Sequence, residues 1–396
     1  MKTLLVLGRQ PKLGLAEIES LYGSSLINRV GSSWALLDDA PENINFDHLG
    51  GAVKMCRVLA ANETSATDKE RFLRENITKE LLNYDNGKVN FGISSYSNNL
   101  GFLNLNNLGL SIKKQLKNER GQSSRFIASQ SGSNFLNSAQ VIHNSLDGKK
   151  GYEFVVVDDN NLSVLAVTVG IQDIESYGLR DYGRPKRDAR VGMLPPKLAQ
   201  IIINLSTGNV VENNKLTLLD PFCGTGVILQ EALLMGYCVY GSDISETMVS
   251  YTKENIQWLI DQYHLSIVNL RVELGDATNY RWETPYTVIA SEVYLGRAYS
   301  VHPPVDQLMQ TIKDTNTIIE KFLINLSSQL PQGFRLCLAI PAWIGANDKL
   351  YRLPLLDHLN KLGYNRLSFE RVKDEELIYH RPAQFVGREL LVIVKR

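Results

Sequence analysis

Asp220-Pro-Phe-Cys-Gly-Thr-Gly226 stands between a short apolar run, Leu216 to Leu219, and an amphipathic stretch, Val227 to Met235. That order reads as strand, glycine turn and helix. In an α/β sheet a nucleoside cofactor lies at such a junction, because glycines let the backbone close on the ligand and a helix N-terminus faces it. The carboxylate of Asp220 would repel a pyrophosphate but suits a ligand carrying positive charge. S-adenosylmethionine, with its amino group and sulfonium, is such a ligand.

Three further strand ends continue the series. Cys238 to Ser242 reads as a strand ending at Asp243, 17 residues beyond Gly226, where an acidic residue normally holds ribose hydroxyls. Asn269 to Glu273 runs into Gly275-Asp276-Ala277, where a carboxylate could take an adenine amino group, and Thr287 to Ser291 ends at Glu292. Asp220, Asp243, Asp276 and Glu292 are therefore expected along one sheet edge, the edge at which open α/β sheets bind ligands. The bland alternative is glycines that only turn the chain and carboxylates that only cap helices. An ordered series of four argues against it.

Composition narrows the class. The 396 residues are 44% hydrophobic and 21% charged, which allows two or three ordinary globular domains. The opening Met1 to Gly8 is too short in apolar residues for a signal-peptide core and no run approaches a membrane span, so a cytoplasmic location is expected. Cys56, Cys223, Cys238 and Cys337 lie far apart without C-x-x-C or Cys/His pairing, and the six histidines show no ligand spacing, so no metal is expected. Forty-two basic residues balance 42 acidic ones, which argues against bulk electrostatic binding of duplex nucleic acid. RNA contact must then rest on local patches. From Arg180 to Lys197 there are six cations (Arg180, Arg184, Lys186, Arg187, Arg190, Lys197) against Asp181 and Asp188, and Lys113, Lys114, Lys117, Arg120 and Arg125 form a second cluster.

Before the glycine turn the chain alternates short strands and helices. Residues 1–60 read as a small α+β module whose last segment, Ala52 to Leu59, has helical spacing. The next block holds a helix from Asp68 to Leu82 and alternating elements to Val169. Residues 171–192 have linker composition, and Leu194-Pro195-Pro196 puts proline at a helix start. Beyond the four strands come a long helix from Val305 to Leu326, a strand from Arg335 to Ile340 and two closing strands near Arg366 to Phe369 and Glu389 to Val394.

DPFCGTG, with GSDIS at Gly241 to Ser245 and GDA at Gly275 to Ala277, resembles the class I methyltransferase domain of the tRNA guanosine-N2 methyltransferases that carry a THUMP domain, the archaeal and eukaryotic guanosine-10 type. RDYGRPKRDARVGMLPPKLAQIIINL (Arg180 to Leu205) is similar to that family's lead-in to the first strand. LNSAQVIHN (Leu136 to Asn144) and AVTVGIQDIESYGLRD (Ala166 to Asp181) resemble the end of a THUMP domain. The resemblance covers most of the chain and is loosest at the N-terminus and over the last 60 or so residues. It implies an N-terminal ferredoxin-like module (1–60), a THUMP-like RNA-binding domain (61–170), a linker (171–192) and a class I, Rossmann-like α/β methyltransferase domain (193–396). The cofactor residues it implies are Asp220, Phe222, Gly224, Thr225, Gly226, Asp243, Ile244, Asp276 and Ala277; the partner it implies is tRNA. A small activating subunit is compatible with the resemblance, though no residue points to one.

That family methylates an exocyclic amine with Asp-Pro-Pro-Tyr at the end of the fourth strand. Here the residues are Glu292-Val293-Tyr294-Leu295. The carboxylate is kept on a chain one methylene longer, and both prolines are gone. Because a misplacement of about 1 Å can cost roughly a hundredfold in rate, the change matters. Glu292 and Tyr294 are the catalytic candidates, with Tyr294 replacing the missing ring; in the bland reading Glu292 only pairs with Arg297. The expected function is S-adenosylmethionine-dependent methylation of a guanosine N2 in tRNA. The alternatives are a non-catalytic tRNA-binding protein that keeps the cofactor pocket, and an adenine-N6 methyltransferase on DNA, against which the RNA-binding N-terminal half weighs.

Overall fold

The computed structural model describes every residue except 63–67, 85–86, 98–103, 122, 131–132, 149, 160–161, 189–192, 210–215, 267–268, 284, 298, 300–301, 346–348 and 382–383. The chain divides into one unit of residues 1–11, 25–47 and 52–174 and another of 12–24, 48–51 and 175–396.

The first part of the chain runs β1 (Thr3–Leu7), α1 (Pro11–Tyr22), β2 (Ile27–Val30), β3 (Trp34–Leu37), β4 (Ala52–Asn62), α2 (Lys69–Leu82), β5 (Val89–Ser95), α3 (Leu105–Arg120), β6 (Ser124–Ile127), α4 (Ser138–His143), β7 (Gly151–Asp159) and β8 (Leu162–Ile171). Among the described residues its strands form one sheet in the order β2-β3-β1-β4-β8-β7-β5-β6. β5 is parallel to β6 and β7; the other pairs are antiparallel. Strand alternation sorts β7 between two cores. Phe154 and Val156 pack with Leu73, Ile77 and Ile112 of α2 and α3, whereas Val155 and Val157 join Leu4, Trp34 and Leu36.

Two expectations change here. Ala52 to Leu59 forms a strand, not a helix: buried and half-buried residues alternate from Ala52 to Arg57, and β4 is paired on both sides, by β1 and β8. The same strand crosses residue 60, so the boundary expected there falls inside a continuous sheet.

The second unit continues with α5 (Ile174–Tyr182), α6 (Pro196–Thr207), β9 (Thr217–Asp220), α7 (Val227–Leu234), β10 (Cys238–Asp243), α8 (Glu246–Tyr263), β11 (Leu270–Leu274), β12 (Val288–Glu292), α9 (Val305–Ser327), β13 (Arg335–Ile344), β14 (Leu350–Tyr351), β15 (Tyr364–Arg366), β16 (Ile378–Tyr379) and β17 (Val386–Lys395). α5 lies within the stretch expected to be linker. The main strand order is β11-β10-β9-β12-β13-β17-β15. The first five are parallel, and β17 enters antiparallel between β13 and β15. That is the class I methyltransferase topology, with its reversed closing strand. Leu219, Ile289, Leu338 and Ile393 share one core with Ile319, Phe322 and Leu323 of α9; α6 and α7 cover the other face. Between β14 and β15 the chain forms a 3-10 stretch, Pro354–Leu362, broken at His358.

α1 from Lys12 onward is counted with this second unit, as are residues 48–51. Glu17 explains the grouping. Its carboxylate accepts from Gly50 N at 2.9 Å, Gly51 N at 2.8 Å and Asn204 Nδ2 of α6 at 2.7 Å. Burial pushes its pKa up to about 7 while those three donors pull it down.

The first unit has its own buried charge. Lys54 of β4 and Glu153 of β7 are 1% and 0% exposed and lie 2.5 Å apart. Leu136 O takes a second Lys54 bond at 2.8 Å, while Ser94 Oγ and Thr168 Oγ1 donate to the two Glu153 oxygens at 2.5 and 2.7 Å. Every member is satisfied, so removing one leaves the other charge dry and unpaired. Glu153→Ala is expected to destabilise this unit by roughly 3–5 kcal/mol. Glu75→Ala, which breaks an exposed pair with Arg71, is expected to leave the melting curve unchanged. Equal Tm for the two variants would show that the buried network contributes nothing.

Candidate active site

The glycine turn after β9 is held from behind by α8. Thr252 Oγ1 donates to Gly224 O at 2.7 Å, and Asn255 Nδ2, one turn later on the same face, donates to Thr225 O at 2.8 Å. Cys223 N donates to Ser242 O of β10 at 2.9 Å. Gly226 has φ +83°, and a Cβ on it would lie 2.9 Å from Thr252 Cγ2. Glycine is needed there both for the left-handed backbone and for the close approach. The Cys223 thiol is buried and burial raises its pKa well above the ordinary value, so it is a packing group rather than a nucleophile.

The four expected carboxylates come to the ends of their strands in different states. Asp220 is 2% exposed; Oδ1 accepts from Ser291 Oγ at 2.5 Å and from Phe222 N at 3.2 Å. Burial pushes its pKa up to about 7 and nearby Asp243 and Glu292 add to the rise. Asp243 accepts from Gly224 N and Ser245 N, each at 2.9 Å, one on each oxygen. Its pKa is also raised by burial, against those two bonds. Both oxygens keep a further lone pair for ligand hydroxyls. Asp276 uses Oδ1 for Thr278 N and Thr278 Oγ1, at 2.9 and 2.8 Å, which leaves Oδ2. Glu292 is paired with Arg388 of β17, whose Nε donates to Oε1. Burial raises the Glu292 pKa and Arg388 opposes the rise. Its partner is thus Arg388, 96 residues away, and not the neighbouring Arg297 considered from sequence.

A cavity of about 460 Å³ opens along this edge, lined by all four carboxylates together with Phe222, Thr225, Ile244, Ala277 and Tyr294. Phe222 is braced edge-on by Phe322 at 4.9 Å between centroids. Ile244 is 70% exposed and offers an apolar face beside Asp243. Tyr294 is 42% exposed, between buried Val293 and Leu295. Sequence reasoning missed Asp188, Met193 and Leu194, which reach the cavity from the lead-in segment, and Ser291, Asn255 and Arg388. Asn255 and Arg388 carry no local signal, since each acts on a residue at least 30 positions away. The donor set fits S-adenosylmethionine: Asp220, a carboxylate whose pKa is lifted by burial and by the neighbouring Asp243 and Glu292, lines the cavity, and a cationic group there would relieve it.

The lead-in cations are placed otherwise than expected. Arg180 is 7% exposed and donates through Nε and Nη2 to Glu231 Oε1 and Oε2 of α7 at 2.7 and 3.2 Å. Arg184 is buried too, and none of its guanidinium nitrogens finds a partner among the described residues; burial lowers its pKa. Lys197 is half-buried over the Tyr177 ring, its pKa lowered by burial and by Arg180. Arg180 ties α5 to α7 and Lys197 ties α6 to α5, and all three cations, being buried or half-buried, offer RNA little surface. Lys186 pairs with Glu254 at 3.2 Å, Arg187 is exposed, and Arg190 lies outside the described residues. Lys113, Lys114 and Lys117 of α3 do line an open groove with Ser123 and Ser124. Among the described residues no group of His, Cys, Asp or Glu is arranged to hold a metal ion, and no helix is long and apolar enough to cross a membrane.

Known proteins are similar to parts of this chain. Residues 184–317 match the family model described as UPF0020, RMKL-like, methyltransferase domain. The chain is 34% identical over 154 residues to a tRNA (guanine(10)-N2)-dimethyltransferase of Methanothermobacter thermautotrophicus, covering 39% of this chain and 40% of that protein. It is 30% identical over 184 residues to the enzyme of the same name from Pyrococcus abyssi, covering 46% and 49%. The chain thus spans less than half the length of these relatives. Among solved structures, TrmN from Thermus thermophilus aligns over 100% of both chains with a TM-score of 0.53 at 16% identity, which is a likeness of fold. The stretch 184–317 that this family model matches is the one that carries the glycine turn and the four strand ends.

Proposed function

We propose that this protein transfers a methyl group from S-adenosylmethionine to the N2 amine of a guanosine in tRNA. The observation that carries the reading is the pairing of an acidic cofactor edge with Glu292 and exposed Tyr294 at the end of β12, inside one cavity. The cofactor, when bound, supplies an electrophilic methyl on a sulfonium. Asp220 and Asp243 would face its cationic and ribose parts, and Asp276 with Ile244 its adenine.

The amine is a poor nucleophile because its lone pair is delocalised into the base. An acceptor must hold its protons, aim the nitrogen and take up the proton it loses. The place of Glu292 at the end of β12, in the same cavity as the acidic edge, supports it as that acceptor, and that of Tyr294 supports its ring as the face on which a base drawn out of its stack lies. The names of the relatives, which are tRNA guanine-N2 dimethyltransferases, support guanosine in tRNA as the substrate. A THUMP-like role for the first unit is supported by the lysine-lined groove beside α3. Phosphate contacts of that kind are independent of base identity.

Three outcomes are expected. Unmodified tRNA incubated with the protein and labelled cofactor should yield N2-methylguanosine on nucleoside mass analysis, and Glu292→Gln should lower the yield at least tenfold while cofactor affinity holds. Wild-type protein that binds the cofactor but yields no such nucleoside from any tRNA would favour a non-catalytic RNA-binding role. Asp243→Ala should weaken cofactor binding several-fold by calorimetry, since hydroxyl acceptors and the tie to Gly224 are lost together; wild-type affinity would remove Asp243 from the site. Asp220 gives a pH test. Its folded pKa of about 7 lies above the unfolded value near 3.9, so the proton it holds stabilises the fold at low pH and that stabilisation is lost as pH rises through 7. Cofactor-free Asp220→Asn should therefore melt at higher temperature than wild type at pH 8, by a margin that narrows steadily as pH falls from 7 toward 4, and bind cofactor more weakly throughout. A lower Tm at pH 8 would show that the buried charge costs nothing.

A further inference from the structure

Glu292 and Arg388 belong to strands that are not neighbours. Glu292 of β12 stands opposite Ala339 of β13, and Ala339 stands opposite Leu390 of β17. Two strand spacings, about 10 Å, separate β12 from β17. Because β17 runs antiparallel, Arg388 lies two residues nearer the cavity edge than Leu390, on the same face and opposite Pro341. From there its side chain crosses over β13 to reach Glu292 Oε1. The span is long, and both partners are long. An aspartate at this position, the residue type of the resembled motif, would stop one methylene short.

The rest of β17 holds Arg388 in place. The adjacent Glu389 points to the opposite face, is 0% exposed, and accepts from Arg352 Nε at 2.7 Å and Arg366 Nη2 at 3.0 Å. Arg388 itself is 3% exposed in its side chain, whereas Glu292 is 20% exposed. Oε2 of Glu292 takes no hydrogen bond from a described residue, and the partly exposed Glu292 side chain lines the cavity. Asp220, of the same sign, lies close enough to interact with the Glu292 carboxylate.

We propose that Arg388 is a positioning residue for the transfer: its guanidinium fixes Oε1 of Glu292 across β13 and leaves Oε2 to receive the N–H of the amine. The inference rests on the function proposed above. The glutamate in place of the resembled aspartate is then matched to the arginine, one long side chain answering another, and the pair moves together. An anionic acceptor with one open oxygen also favours a base that presents adjacent N–H donors, as guanine does at N1 and N2, over one that presents a ring acceptor beside its amine, as adenine does.

The test is a set of variants assayed on tRNA, with guanosine 5′-monophosphate binding to the S-adenosylhomocysteine-loaded protein as a readout independent of turnover. Arg388→Met is expected to lower kcat at least tenfold with the cofactor KM unchanged, and to weaken guanosine monophosphate binding. Arg388→Lys, which keeps the charge without the fork, should recover part of both. Glu292→Asp, which restores the family's residue type, should lower kcat rather than raise it. Full kcat in Glu292→Asp, or guanosine monophosphate binding unmoved by Arg388→Met, would overturn the proposal. So would a fall in Tm and cofactor affinity in Arg388→Met that matches the fall in rate, which would make the arginine merely structural. Arg388-dependent guanosine monophosphate binding without N2-methylguanosine from any tRNA would sink the reaction assigned above and leave the positioning role standing.

Discussion

Carboxylates kept out of water before any cation arrives are the electrostatic constraint around which the methyltransferase unit is organised. Desolvation disfavours each charged form, and the like charges of Asp220, Asp243 and Glu292 compound it. The structure answers that cost by degrees. Glu292 has a permanent cation in Arg388. Asp243 has two backbone donors. Asp220 has, among the described residues, only a serine hydroxyl and one backbone N–H, so it is the least compensated of the three. A site whose carboxylates were all paired internally would be more stable and would bind a cation less well.

Such a site works only if the backbone that presents it does not relax. The turn cannot drift toward solvent to hydrate Asp220, because Thr252 and Asn255 of α8 hold its carbonyls and Cys223 N is tied to β10. Asn255 also accepts from Lys186 N and donates to Lys186 O, each at 2.9 Å, so one buried amide couples the lead-in segment to the glycine turn. Arg180 and Glu231 couple the same segment to α7, which starts at that turn. The lead-in segment is therefore part of the framework behind the cavity, and its basic residues are distributed between framework and surface. Charge counting along a sequence cannot separate these uses, since a cation that pairs with a buried glutamate 51 positions away looks the same as one that faces solvent.

That distinction also explains what was legible. The parallel strands and the glycine turn are local patterns: four short strand-like runs each leading to an acidic residue, the first of them followed by a glycine turn. They fold as read, with each expected acidic residue at its strand end. What failed depended on partners far away in the chain. β4 has apolar residues whose spacing fits a helix, but it lies between β1 and β8, and that double pairing makes it a strand. α1 begins within the first 60 residues yet Glu17 bonds Asn204 of α6, 187 positions on. The Glu292 partner could not be found from sequence, because only the insertion of β17 beside β13 brings Arg388 within reach.

The stretch after β12 shows how a loop without prolines can still be rigid. Two prolines would restrict the backbone directly by fixing φ. Here the restriction comes from packing: Val293 and Leu295 are 2% and 6% exposed, and Val293 N donates to Ala339 O at 3.2 Å, extending the β12 ladder by one bond. Gly296 then turns with φ +88°, so tightly that a Cβ would lie 2.9 Å from Thr311 Cγ2 and 3.0 Å from Thr315 Oγ1 of α9. With both flanking residues buried and the glycine seated on α9, the alternation along the chain leaves Tyr294 as the residue turned outward. An extended segment anchored at both ends presents one side chain as surely as a proline turn does, provided that the anchors are buried. The loss of both prolines therefore does not by itself argue for a loss of activity, because the rigidity they would have supplied is carried by Val293, Leu295 and the close fit of Gly296.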